Sequence, residues 1–260
     1  MEDVLKKHGE MRSNSDTFSY EDLLEDRETL AIIISSLVVL ITVVLYFILQ
    51  RKKHARRSIL ITGLTDSGKT LLYARLLSGK FKLTHTSVKE NAGDLHLKKG
   101  TVKVVDIPGH ERLRGKFFDN YKQTARGIIY VIDSVTFQKD IRDVAEYLYI
   151  ILSDDVINSN RPSVLILCNK QDETMAKGCK VIQAMLEKEI TTLRVTKSSQ
   201  LESTNETGKQ ISFLGKEEKD FEFSQLSHLK ITFAESSGRS SNNENECDLE
   251  SVHTWLEEVA

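Results

Sequence analysis

The chain has 260 residues, enough for one α/β domain of ordinary size with extensions rather than for two full domains. Its 36 basic and 38 acidic residues leave a formal charge of −2, without the basic excess of a direct nucleic-acid binder, so no direct nucleic-acid binding is expected. A hydrophobic share of 40% against 28% charged excludes a wholly disordered chain, and three scattered cysteines (Cys168, Cys179, Cys247) without a CxxC pair exclude a disulfide framework or a structural zinc site.

Residues 1–29 are polar and acidic and read as a short tail. Leu30 to Leu49 then runs LAIIISSLVVLITVVLYFIL without a charge, and a helix over 30–50 at about 1.5 Å per residue reaches roughly 30 Å, the thickness of a bilayer core. Ser35, Ser36 and Thr42 are its only polar residues short of Gln50, and each hydroxyl can bond back to a carbonyl one turn earlier. A buried core helix is the alternative, but the run is apolar on every face and charged directly on both sides. Glu21, Asp22, Glu25, Asp26 and Glu28 precede it, while Arg51, Lys52, Lys53, Arg56 and Arg57 follow. The basic side stays cytoplasmic, so the expected topology is single-pass with everything after Arg51 inside. No cleavable signal pattern is present, and Glu2 stands where myristoylation needs glycine. The linker 51–57 sets the topology, and its cations are also suited to anionic head groups.

From Ser58 the pattern becomes short apolar runs alternating with helical stretches. Strands are expected at Ser58–Thr62, Thr101–Ile107, Gly127–Asp133, Ser163–Asn169 and Leu229–Ala234. Helices are expected after the first strand, carrying Leu71, Leu72, Leu76 and Leu77, and at Arg114–Thr124, Lys139–Ser153, Lys177–Thr192 and Leu249–Val259. This alternation predicts an α/β domain over 58–260, a mostly parallel sheet flanked by helices. Residues 196–227, rich in Ser, Thr, Glu and Lys, read as a flexible insertion.

Gly63-Leu64-Thr65-Asp66-Ser67-Gly68-Lys69-Thr70 fits GxxxxGK followed by Ser or Thr, between an expected strand and an expected helix. Gly63 and Gly68 permit a backbone path whose N–H groups curl around phosphate oxygens, and the helix that starts there aims its positive end at the same anion. Lys69 neutralises the outer phosphates and the Thr70 hydroxyl is suited to Mg²⁺. Asp106-Ile107-Pro108-Gly109-His110 follows an apolar run; Asp106 is placed to hold the Mg²⁺ through water, and Gly109 offers its N–H to the terminal phosphate. Leu165 to Asp172 is an apolar strand ending in NKxD. The Asp172 carboxylate accepts from guanine N1–H and its exocyclic amino group, whereas adenine offers no such donor pair. Asn169 ties that loop to the phosphate loop and the Lys170 stem lies along the base plane, so GTP is the expected nucleotide. Thr86, or its neighbour Thr84, supplies the threonine that closes on Mg²⁺. The final loop, Glu235-Ser236-Ser237-Gly238, presents the N–H groups of Ser236 and Ser237 to the guanine oxygen.

In this order, GLTDSGKT, DIPGH, NKQD and ESSG resemble the Ras-like small GTPases, nearest to the Arf-like branch. With the single anchor, DIPGHERLR at Asp106–Arg114, the phrase Phe221 to Leu226 and IQAMLEKEITTLRVT within 177–196, the chain is similar to the family of signal recognition particle receptor β subunits. That resemblance covers roughly residues 27–260. It implies an endoplasmic reticulum membrane location with a lumenal tail, a role in cotranslational targeting, and a heterodimer with the receptor's α subunit. Contact with the ribosome or translocon would follow from the same role. His110 stands where many Ras-like relatives carry a water-orienting glutamine, and it either orients water or only packs on the switch. The alternative functions are an Arf-like trafficking GTPase that recruits a coat or tether, and a structural anchor in which GTP completes the fold without turnover.

Overall fold

The computed structural model describes residues 30–32, 34–46, 58–203, 214–216, 219–240 and 246–260. The chain divides into two compact units, Met1–His54 and Ala55–Ala260. In the first, residues 30–32 and 34–46 are helical with their apolar side chains exposed. Ser35 Oγ donates to the Ile32 carbonyl at 3.0 Å and Thr42 Oγ1 to the Val39 carbonyl at 2.8 Å, so both hydroxyls are satisfied within the helix. Among the described residues no helix is long and apolar enough to cross a membrane. The tail 1–29, position 33, positions 47–50 of the expected span and the linker 51–57 lie outside the described residues.

The second unit runs β1 (Ser58–Thr62), α1 (Lys69–Ser78), β2 (Asn91–Leu97), β3 (Gly100–Asp106), α2 (Glu111–Tyr121), β4 (Ala125–Asp133), α3 (Phe137–Leu152), α4 (Asp155–Asn160), β5 (Ser163–Asn169), α5 (Cys179–Ser203), β6 (Ile231–Glu235) and α6 (Glu250–Val259). Its six strands are ordered β2-β3-β1-β4-β5-β6, and every pair is parallel except β2 with β3. Both faces are covered, which is why β1, β4 and β5 are near-continuous apolar runs rather than alternating ones. Period two decides which helix layer each residue meets. Leu60, Ile128, Tyr130, Ile132, Val164 and Ile166 pack with Leu148 of α3 and Ile182 and Leu186 of α5. Ile59, Ile61, Ile129, Val131, Leu165 and Leu167 face the other way, onto Leu72 of α1 and Trp255 of α6.

Two expectations need correction. The strand β2 has no counterpart in the sequence reading, because NAGDLHL carries Asn, Gly and Asp and has little intrinsic β preference. It forms as the partner of β3, with Asn91 opposite Asp106 and Leu97 opposite Gly100. The segment 196–227 is not an insertion throughout. Helix α5 continues to Ser203, and Phe221, Phe223 and Leu226 are buried in the core. Phe221, Phe223 and Phe233 stack edge to face at 5.1 and 5.0 Å, so the polar composition of 196–227 hides a few large anchors.

Candidate functional site

The strand order diverges at β1, with β3 on one side and β4 on the other. The carboxyl ends of the strands at such a point open a crevice where α/β sheets bind ligands. The loop 63–68 leaves β1 there. Gly63 has φ +142°, and a Cβ on it would lie 2.2 Å from the Val131 carbonyl oxygen of β4. Gly68 has φ +92° and precedes α1; a Cβ there would lie 2.3 Å from Asn169 Nδ2. Ser67 Oγ donates to the Leu64 carbonyl at 3.0 Å. Lys69 is buried, its ammonium donating to the same carbonyl and to Ser67 Oγ. Burial lowers Lys69 to about 8, and the Asp106 and Asp66 carboxylates pull it only partly back. Gly109 runs beside this loop, where a Cβ on it would lie 2.7 Å from atoms of Leu64, Thr65 and Lys69.

Asp106, at the end of β3, is fully buried. Its Oδ2 accepts from Thr70 Oγ1 at 2.9 Å and from Asn91 Nδ2 at 3.0 Å. Burial raises its carboxyl pKa, opposed by those two bonds and by the Lys69 charge. Its Oδ1 is buried with no hydrogen-bond partner among the described residues. This orphaned oxygen beside a threonine hydroxyl fits a hard cation that prefers oxygen ligands, such as Mg²⁺. No group of three or more His, Cys, Asp or Glu side chains stands ready for a metal among the described residues. Thr84 and Thr86 both line the cavity, and the choice between them stays open. Ser87, next to Thr86, is the hydroxyl of this stretch that meets Thr70, its Oγ 3.2 Å from Thr70 Oγ1.

On the other side, Asn169 donates from Nδ2 to the Ser67 carbonyl at 2.9 Å, joining β5 to the phosphate loop, and its Oδ1 accepts from Ser236 Oγ at 3.2 Å. Lys170 adopts φ +66° and its ammonium pairs with Asp133 Oδ2 at 2.6 Å. That fixes the direction of the lysine stem. The Asp172 side chain is only 6% exposed and its Oδ2 has no hydrogen-bond partner; Arg239 Nε lies 3.8 Å away, too far for one. Arg239 is held instead by Glu173, at 2.9 Å.

These residues enclose a cavity of about 300 Å³, at the small end for ligand sites. Thr65, Asp66, Gly68, Lys69, Thr70, Gly109, Asn169, Lys170 and Asp172 line it, while Gly63, Leu64, Ser67 and Asp106 are not part of its wall. Ser236 and Ser237 do not have the role expected of them. Their N–H groups are already paired, with the Cys168 carbonyl at 3.0 Å and the Asp248 carbonyl at 3.0 Å. Gly238 and Arg239 line the cavity in their place. Only the chain path sets this, and no local signal points to it. Of the two roles open to His110, the geometry shows a cap rather than a wall of the cavity. The residue is exposed, it is not in the cavity wall, and its Nδ1 accepts from the Arg112 N–H at 3.3 Å as the N-cap of α2.

A six-stranded, mostly parallel sheet with a phosphate-type loop after β1 and an NKQD turn after β5 defines the small-GTPase class of α/β fold. The family described as signal recognition particle receptor beta subunit matches residues 54–229. The human signal recognition particle receptor subunit beta is 39% identical over 249 residues, covering 94% of this chain and 92% of the human one. A solved structure of the mammalian SRP receptor is 42% identical with a TM-score of 0.68, covering 78% of this chain and all of that one. A structure of the SRb-GTP/SRX complex from Chaetomium thermophilum is 19% identical with a TM-score of 0.59, covering 77% and 97%, which bears on the fold alone. The chain belongs to the signal recognition particle receptor beta subunit family.

Proposed function

We propose that this chain is a membrane-anchored GTP-binding subunit that takes GTP with Mg²⁺ in the cavity and, at the endoplasmic reticulum, holds the α subunit of the signal recognition particle receptor. The observation that carries the reading is Asp172: a buried carboxylate oxygen without a hydrogen-bond partner, on a loop that Asn169 fastens to the phosphate loop. An orphaned acceptor of this kind is expensive unless a ligand donates to it, and guanine offers two donors on one edge. The N–H groups of 65–70 would cradle the phosphates, and Lys69, whose burial disfavours its charge, would gain a counter-charge from them. Thr70 and Asp106, with Thr84 or Thr86, would hold Mg²⁺, which when bound neutralises charge on the outer phosphates. Gly109, which lines the cavity, would report the terminal phosphate through its N–H.

Asp172→Asn tests the base assignment in the full chain. The asparagine amide donates where guanine also donates, so GTP affinity should fall about 100-fold, and xanthine nucleotide, which carries an oxygen there, should gain. Unchanged GTP affinity would defeat the assignment. The anchor over 30–50 is supported by its charge-free sequence and by helical backbone whose Ser35 and Thr42 hydroxyls are internally satisfied. An N-glycosylation site introduced into residues 1–29 should be modified in microsomes; modification only of a site placed after Arg57 would reverse the topology. The capping role of His110 favours a second reading, in which turnover is slow enough that bound GTP serves mainly to complete the fold. Single-turnover hydrolysis with and without the α subunit separates the two.

A further inference from the structure

Asn91 is absorbed by none of the motifs, yet it is the first residue of β2 and lies directly opposite Asp106 in the antiparallel register. Side chains of directly opposed residues share a face at a Cβ separation of about 5 Å, so the register itself delivers the amide to the carboxylate. The bond from Nδ2 to Asp106 Oδ2 is 3.0 Å, and Thr70 Oγ1 donates to the same oxygen at 2.9 Å. Two donors on Oδ2 leave Oδ1 as the buried, unpartnered oxygen. The approach to β2 is fastened at two points: Ser87 Oγ lies 3.2 Å from Thr70 Oγ1, and Glu90 accepts from the Tyr121 hydroxyl of α2 at 3.1 Å. A single stretch of chain, 87–91, therefore touches Thr70 and Asp106, two of the groups assigned to the metal.

We infer that Asn91 is a positioning residue for Mg²⁺: it clamps one oxygen of Asp106 so that the other is held toward the cation and its water. This rests on reading the cavity as a guanine-nucleotide site. An amide suits the task because it donates without charge. A lysine or arginine in its place would cancel the carboxylate that the dication needs, and an aspartate would oppose it. Partners that orient a ligating carboxylate change metal affinity by about 10- to 100-fold when removed.

The test uses the full chain in detergent and a fluorescent GDP analogue, titrated with MgCl₂ and separately measured in EDTA. Asn91→Ala should raise the Mg²⁺ concentration at half-maximal effect on nucleotide dissociation by about tenfold, with affinity in EDTA unchanged within about twofold. Asn91→Ser, which keeps a donor, should recover part of that shift, and it guards against failure of the alanine variant to fold. An unmoved Mg²⁺ midpoint in both variants overturns the inference. Equal losses with and without Mg²⁺ also overturn it, since they would make Asn91 a residue of the strand rather than of the metal site. Wild-type protein that binds the analogue with no response to Mg²⁺ sinks this inference alone; failure to bind it at all sinks the reading of the cavity as well.

Discussion

Two stretches of chain border the same cavity and are built in opposite ways. The loop 63–70 is enclosed except at its tip, Thr65 and Asp66: Ser67 and Lys69 are buried, Gly63 leaves no room for a Cβ beside Val131, and Asn169 grips the Ser67 carbonyl from β5. The stretch 81–91 is open, with Leu83 80% and Val88 72% exposed. Side-chain bonds fasten it, and two of these, from Ser87 and Asn91, end on Thr70 and Asp106. The first stretch is therefore a cradle fixed by the fold's own contacts. The second is tied to Thr70 and Asp106, the groups proposed to hold Mg²⁺, so its position would follow what those groups are bonding. A switch needs both kinds of wall, one that does not move and one whose attachments compete with the ligand for the same atoms.

The difference can be broken most severely at Gly63. Gly63→Ala would place a methyl against the Val131 carbonyl at a φ that alanine resists, and should lower the stability of the nucleotide-free protein by about 3 kcal/mol. Urea unfolding measures this, and a loss below about 0.5 kcal/mol would mean that the cradle yields as easily as the open wall. The next effect is one of pH. Lys69 titrates near 8 in the folded protein and near 10.5 in an unfolded chain. Between those values the unfolded chain binds more protons, so stability rises with pH there; the penalty of the buried cation is complete below about 8 and fades above it. Relative to Lys69→Met, the nucleotide-free protein should gain on the order of 1–2 kcal/mol from pH 7.5 to 9.5. With GTP bound, the phosphates hold the proton on Lys69 and the gain should vanish. The smallest effect is expected just past the cradle. His110→Ala removes a helix cap at the cost of about 0.5–1 kcal/mol and should leave single-turnover GTP hydrolysis within about twofold of wild type. A loss of tenfold or more would return His110 to the chemistry.

The cradle was legible because its signals are local. Gly63, Gly68, Lys69 and Thr70 lie within eight residues, and strand-to-helix context completes the pattern. The open wall was not. The residues 84–87 offered several hydroxyls with nothing local to rank them, and NAGDLHL becomes a strand only because β3 supplies its partner. The last loop misled for a related reason. Ser236 and Ser237 stand at the expected distance after β6, but their N–H groups are taken by the Cys168 and Asp248 carbonyls, and the cavity wall falls to Gly238 and Arg239. Composition also misjudged 196–227, where Phe221 and Phe223 are buried within a polar stretch.

By itself the amino-acid sequence determined the charge-free run after Leu30, the alternation of strand and helix, the phosphate loop, and the guanine-type carboxylate, since each is written in spacing or periodicity over a few neighbouring residues. Tertiary structure alone decided which carboxylate oxygen Asn91 leaves open, what holds Arg239 beside Asp172, and that His110 caps a helix instead of facing the cavity. These depend on register and on chain path. Asn169 and Ser67, bonded at 2.9 Å, are 102 residues apart in the chain, and only the assembled sheet brings such atoms within hydrogen-bond reach.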